Sequence, residues 1–111
     1  MRQTQAYYSP TLAELARAYI RQFKGSRYEK RCEANRIRLF VRQKQTIAAF
    51  QLCEADIAEW IAHLGLNELI QPVTLQAWEA GAGRLLAYIE LEKAKRLIAY
   101  ESFVSHNHPK D

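Results

Sequence analysis

Arginine is the residue type whose placement in this sequence most directly indicates a chemistry. The stretch SRYEKRCEANRIRLFVRQK, residues 26–44, carries four arginines within a stripe roughly 60° wide when successive residues are wound at about 100° each. They are Arg27, Arg31, Arg38 and Arg42. No acidic residue lies in the stripe, although solvated faces usually mix both signs of charge. Because guanidinium groups suit phosphate oxygens and guanine edges better than ammonium groups do, the stripe predicts a surface for an anionic partner.

A second set of basic residues lies just ahead of this stripe. Apolar residues recur at helical spacing from Leu12 to Phe23, and Arg17, Arg21 and Lys24 gather on the opposite face. Gly25 marks the end of that helix, so only a very short turn leads to the next one, which favours packing of the two helices as neighbours. We therefore expect the two basic faces to form one cationic surface.

Residues with catalytic or metal-binding potential do not form a recognisable constellation. The sequence contains no glycine-rich phosphate loop, nucleophile elbow or paired metal motif. His106 and His108 lack the further ligands and supporting shell that a metal site needs. Cys32 and Cys53 lack metal-ligand spacing, and we interpret them as small buried apolar residues in a reducing compartment. We expect a protein without enzymatic activity, cofactor or metal ion.

Local sequence signals predict where the two basic helices begin. Thr11 with Glu14, and Ser26 with Glu29, have the spacing of a capping box, in which a hydroxyl and a carboxylate each accept a backbone N–H. We expect one helix to begin after each pair.

The second half of the chain predicts two or three further helices. Residues 45–52 show no long helical period and are interpreted as a loop or a short extension of the second helix. A third helix is expected from Cys53 to a stop at Gly65, and a fourth with Thr74 as its N-cap. The pattern from 92 to 103 predicts another helical segment.

Two glycines fall within the predicted fourth helix. Gly81 and Gly83 each cost about 1 kcal/mol relative to alanine at such a position. Either close packing against a neighbouring helix or a kink would account for them.

The overall composition predicts one helical domain. At 111 residues with 49% apolar content, the chain can bury a core without disulfides or metal. We predict an all-α fold, a compact bundle of four to five helices spanning residues 9–103, with a flexible arm at 1–8 and a disordered tail at 104–111. No apolar run has the length of a signal peptide or membrane span, so we expect a soluble, cytoplasmic protein without membrane contact.

Charge is distributed unevenly along the chain. Residues 17–44 contain ten basic and two acidic residues, whereas residues 45–92 contain one basic residue and seven acids. A basic patch of this kind is the electrostatic footprint of nucleic-acid binding, although an acidic protein or an anionic membrane would also match it.

The order of these segments resembles the SAM-like core-binding domain of tyrosine recombinases and phage integrases. TLAELARAYIRQF (11–23) looks like its opening helix, EANRIRLFVRQ (33–43) its second, and CEADIAEWIAHL (53–64) its short third helix. Residues 73–103 resemble its long last helix. The resemblance implies a module that closes half of a clamp around duplex DNA, largely through backbone contacts. The family's catalytic Arg, His-x-x-Arg and Tyr nucleophile lie downstream of such a module. The resemblance therefore implies either an excised domain or a free-standing relative that binds without cutting or joining.

A narrower resemblance concerns TLQAWEAG, residues 74–81. It looks like the recognition-helix signature of repressor-type helix-turn-helix proteins. This segment has a net negative charge, and an anionic recognition helix facing phosphate is electrostatically unfavourable.

Two functional hypotheses follow from the sequence. The first is a DNA-binding module related to recombination or integration, which grips duplex DNA by arginine–phosphate contacts, with Asn35 and Gln43 as the nearest polar side chains for base or sugar contacts. The second is a small helical regulator or inhibitor that binds another protein, either through its basic face or through its acidic second half. The candidate DNA-binding residues are Arg17, Arg21, Lys24, Arg27, Arg31, Asn35, Arg38, Arg42, Gln43 and Lys44.

Overall fold

Helices account for almost the whole architecture. The computed structural model describes residues 10–107, with side chains described as far as residue 103. Within that range there are four α-helices, one 3₁₀ turn and no strand. The elements are α1 (Leu12–Gln22), α2 (Arg27–Gln43), the 3₁₀ turn (Ala49–Gln51), α3 (Glu54–Leu64) and α4 (Pro72–Asn107). The predicted all-α bundle is confirmed.

Both predicted capping boxes form at the starts of α1 and α2. The Thr11 hydroxyl accepts the Glu14 N–H at 3.0 Å, and the Glu14 carboxylate accepts the Thr11 N–H at 3.0 Å. Ser26 and Glu29 repeat this arrangement at 3.0 and 2.8 Å. Each box provides hydrogen-bond acceptors for two backbone N–H groups that the start of a helix otherwise leaves unpaired. Local sequence therefore determines where α1 and α2 begin.

The two cysteines differ from the buried residues that we expected. Cys53 lies at the N-cap of α3 and is exposed, where its backbone N–H donates to the Asp56 carboxylate at 2.9 Å. Cys32 is half-buried, and neither cysteine is in a disulfide. The expectation of burial is therefore wrong for Cys53, because a helix start places it at the surface.

The last helix begins earlier and continues further than we expected. The N–H groups of Thr74 and Leu75 donate to the Gln71 carbonyl at 2.9 and 3.1 Å, so Pro72 occupies the first helical position and Thr74 is not the N-cap. The helix runs without interruption past Glu92 to Asn107. The separate segment at 92–103 is thus part of α4, and the disordered tail is wrong for 104–107. The expected arm at residues 1–8, and residues 108–111, lie outside the described part of the chain.

The core lies where α1, α2 and α3 meet the first half of α4. The buried rings of Phe40 and Trp60 lie 4.9 Å apart in this core, and the partly buried ring of Trp78 lies 6.1 Å from that of Trp60. The buried apolar residues come from all four helices and the 3₁₀ segment: Leu12, Leu15, Ala16, Tyr19, Ile37, Phe40, Ala49, Leu52, Ile57, Trp60, Ala82, Leu85, Leu86 and Ile89.

Gly81 and Gly83 have different surroundings within α4. A Cβ atom at Gly81 would lie 3.2 Å from Cδ of Arg36 and 3.3 Å from Oε1 of Glu33, both on α2. A Cβ atom at Gly83 would meet nothing within 4 Å. Close approach of α2 explains the first glycine, and no packing constraint requires the second.

This contrast gives a matched pair of stability predictions. Gly83→Ala should raise the free energy of unfolding by about 1 kcal/mol, because alanine restricts the unfolded chain and favours helix. Gly81→Ala also favours helix, but its added methyl group would lie too close to the side chain of Glu33. We therefore expect the Gly81→Ala variant to be less stable than Gly83→Ala by about 1 kcal/mol. Urea unfolding of both variants measures the difference, and equal stabilisation would contradict the close approach at Gly81.

Candidate nucleic-acid interface

Arginines from two helices surround one groove on the surface. Arg17 and Arg21 of α1 and Arg38 of α2 line an open depression of about 510 Å³ between these helices. Its floor is apolar and consists of Ala13, Ala16, Ile20, Ala34, Ile37 and Val41. The tertiary structure therefore brings together three of the arginines that the sequence indicated separately.

The remaining arginines of the predicted stripe extend this surface along α2. Arg27, Arg31 and Arg42 are exposed, as are the three arginines of the groove. None of the six forms an ion pair with an acidic side chain within residues 10–103. We call the face made by these six residues the arginine face: Arg17, Arg21, Arg27, Arg31, Arg38 and Arg42.

One predicted polar residue orients an arginine of this face. The Nη2 atom of Arg38 donates to Oδ1 of Asn35 at 2.6 Å, one helical turn away. The Asn35 carbonyl oxygen is thus engaged, while its NH₂ group retains donors for an incoming acceptor. This hydrogen bond keeps the Arg38 guanidinium group at the surface beside the groove.

Three predicted residues lie away from the groove. Lys24 lines a separate depression with Arg36 and Arg84, on the side where α2 meets α4. Lys44 forms an ion pair with Glu59 of α3, and Gln43 lies beside that pair. The positive charge of Lys44 is therefore offset by an acid from the second half of the chain.

The most buried charged group was missed in the sequence analysis. Glu33 is 0% exposed, and its carboxylate accepts four hydrogen bonds. The Tyr19 hydroxyl donates at 2.6 Å, the Arg84 Nε and Nη2 atoms both at 2.8 Å, and the Arg36 Nη1 atom at 3.0 Å. This cluster, which we call the Glu33 network, links α1, α2 and α4 through one carboxylate.

Opposing effects determine the protonation of the Glu33 network. Burial raises the pKa of Glu33, but the hydrogen bonds from Arg84, Tyr19 and Arg36 outweigh it and lower the pKa to about 2. Burial, together with the bond to Glu33, raises the pKa of Tyr19 to about 12. The hydrogen bond to Glu33 also raises the pKa of Arg84. At neutral pH the network is an ionised carboxylate with a neutral tyrosine and two charged guanidinium groups.

The Glu33 network positions the arginine face. Glu33 fixes α2 against Tyr19 of α1 and Arg84 of α4, and the Nζ atom of Lys30 donates to the Arg21 carbonyl at 3.4 Å across the turn. These contacts define how the two basic helices lie against each other. A weak sequence signal was present, since Glu33 is one turn before the core residue Ile37 on the buried side of α2.

Comparisons with known proteins add no relative to this description. The chain matches no family model, no curated protein and no solved structure. The resemblance to recombinase core-binding domains therefore stays a prediction from the sequence.

Two further features of the described residues concern membrane spans and metal ligands. No helix in residues 10–107 combines the length and the apolar character needed to cross a lipid bilayer. Among the side chains of residues 10–103, no group of three or more His, Cys, Asp or Glu is placed to hold a metal ion.

Proposed function

We propose that the protein binds duplex DNA by laying its arginine face against the phosphate backbone. The observation that supports this proposal is the convergence of Arg17, Arg21 and Arg38, from two helices, around one groove, where none of the three forms an ion pair with an acidic side chain of residues 10–103. A face of exposed guanidinium groups matches the repeating negative charge of a duplex.

Contacts to phosphate groups rather than to bases determine how strongly binding depends on the DNA sequence. Phosphate contacts position a protein on DNA without reading its sequence, so binding by this face is largely non-specific. A single module of this size should bind duplex with a Kd on the order of 10⁻⁴ to 10⁻⁶ M at physiological salt. The role that we propose for this chain is DNA binding without catalysis, and we expect it to act in the cytoplasm.

A single substitution on α2 tests the proposal through salt dependence. Arg31→Ala should weaken binding to similar degrees on unrelated duplexes and reduce the slope of log K against log salt by about 1, because one phosphate contact is lost. Lys95→Ala, which removes an exposed positive charge from α4, is the matched control and should leave the slope unchanged. Fluorescence anisotropy at several salt concentrations measures both, and equal slopes for all three proteins would reject the assignment of Arg31.

The apolar floor of the groove favours a second candidate function. An acidic amphipathic helix of a partner protein could place apolar side chains on Ala34 and Ile37 and acidic ones beside the arginines. Ala34→Leu separates the two functions, because it fills the floor without changing charge. Phosphate contacts should survive this substitution with less than about a twofold change in affinity, whereas docking of a helix should be lost.

A further inference from the structure

The far side of α4 carries an apolar stripe that nothing in the described chain covers. Leu91 and Ile98 are 55% and 65% exposed, and Ala94 lies between them. Large apolar residues grouped on one helix face are a typical mark of a binding surface.

Contacts on the opposite side of α4 determine that this stripe points outward. The Nζ atom of Lys93 donates to the Phe50 carbonyl at 3.2 Å, and the Arg96 guanidinium lies 5.8 Å from the centroid of the Phe50 ring. At about 100° per residue, Leu91 and Ile98 lie on the far side of the helix from these two contacts. The 3₁₀ segment therefore holds α4 with its apolar stripe turned away from the bundle.

The stripe continues into a groove between α3 and α4. This groove has a volume of about 580 Å³, and its floor includes the small residues Ala55, Ala58, Gly83 and Ala87. Small residues let another helix approach closely. On this side of α4, the part from Gly83 to Ala87 therefore leaves space for another helix, and the part from Leu91 to Ile98 carries large side chains.

The spacing along the stripe is that of a coiled-coil seam. Positions 84, 87, 91, 94, 98 and 101 alternate by three and four residues, and they hold Arg, Ala, Leu, Ala, Ile and Glu. If a second α4 lies antiparallel about an axis between residues 92 and 93, Ala87 faces Ile98 of the other copy and Leu91 faces its Ala94. Both apolar pairs across this interface then match a small residue with a large one. Each pair occurs twice, because the two copies are related by a two-fold axis.

The charges at the ends of the stripe also match in this register. Arg84 faces Glu101 of the second copy, and both residues are exposed. Arg84 uses Nε and Nη2 for Glu33, so its Nη1 atom stays available for a second carboxylate. A parallel arrangement would instead place Arg84 against Arg84 and Glu101 against Glu101.

From this self-complementary pattern we propose that two copies of the chain associate through antiparallel α4 helices, with Ile98 of each copy against Ala87 at the edge of the α3–α4 groove of the other. The dimer presents two arginine faces related by a two-fold axis. Its formation does not depend on DNA binding, so the two proposals can fail separately.

Sedimentation velocity without DNA tests the association. We expect twice the mass of the chain at about 100 μM, and at least a tenfold weaker dimer for the double variant Leu91→Glu with Ile98→Glu. The matched control is Leu69→Glu with Val73→Glu, which charges two exposed apolar residues at the other end of the structure and should leave the dimer intact. A monomer at this concentration, or equal effects of both double variants, would overturn the proposal.

Cysteine pairing tests the register. In a background with Cys32 and Cys53 replaced by serine, mixing Leu91→Cys with Ala94→Cys protein should give a disulfide between the two variants, well above the self-linked product of either alone. Preferential self-linking of Leu91→Cys would indicate a parallel pair and would refute the antiparallel arrangement.

Discussion

Replacing Arg17, Arg21 and Arg38 together with alanine should lower the affinity for duplex DNA about 100-fold at physiological salt. Each phosphate contact contributes a slope of about 0.9 in log K against log salt, which corresponds to roughly fivefold in affinity at about 0.15 M salt. Three contacts multiply to about 100-fold, and the slope should fall by about 3. Fluorescence anisotropy with a short duplex over a range of salt concentrations measures both quantities.

The control for this triple variant removes equal charge from another surface. Substituting Lys93, Lys95 and Arg96 of α4 with alanine lowers the net charge by the same amount but leaves the arginine face intact. If DNA binding depends on the position of the charges, this variant should bind within a fewfold of the unmodified protein. Equal losses in the two triple variants would show that net charge alone determines binding, and the groove would have no special role.

Glu33→Ala should lower the free energy of unfolding by about 3 kcal/mol. Its carboxylate is fully buried, and the substitution leaves Tyr19, Arg36 and Arg84 without their common acceptor. Removing one partner of a buried ion pair is costly, because the remaining groups stay buried and have no hydrogen bonds to water in its place. Tyr19→Phe removes only one donor from the same network and should cost about 1 kcal/mol. Urea unfolding of the three proteins gives the comparison, and a neutral Glu33→Ala would contradict a central role for the network.

The pH dependence of stability tests whether the negative charge on Glu33 is what stabilises the folded protein. The pKa of Glu33 falls from an ordinary value of 4.5 to about 2 in the folded protein. A lowered folded-state pKa stabilises the protein fully above pH 4.5, and this contribution is lost as pH falls towards 2. The stability difference between the unmodified protein and Glu33→Gln should therefore be largest near neutral pH and shrink over that window. A difference that does not change with pH would mean that shape, rather than charge, gives Glu33 its effect.

Local interactions could be predicted from the sequence because they need only residues close together in the chain. Ser26 and Glu29 cap α2 through atoms three residues apart, and the arginines of α2 share a face because the helical period places them there. The start of α4 is also a local matter, and Pro72 at the first helical position was the better signal than Thr74. The continuation of α4 beyond Glu92 was harder to predict, since side chains there have few neighbours in the bundle to impose a clear apolar period.

Only the tertiary structure could decide which charges stay available to a partner. Glu33 and Arg84 are 51 residues apart, and Lys44 and Glu59 are 15 apart, so no local pattern pairs them. The sequence alone determined α1 and α2, the capping boxes at their starts and the arginine stripe, because these depend on spacing along one helix. The packing of α1 against α2 decided that Arg17 and Arg21 meet Arg38 around one groove, because that proximity depends on contacts between helices.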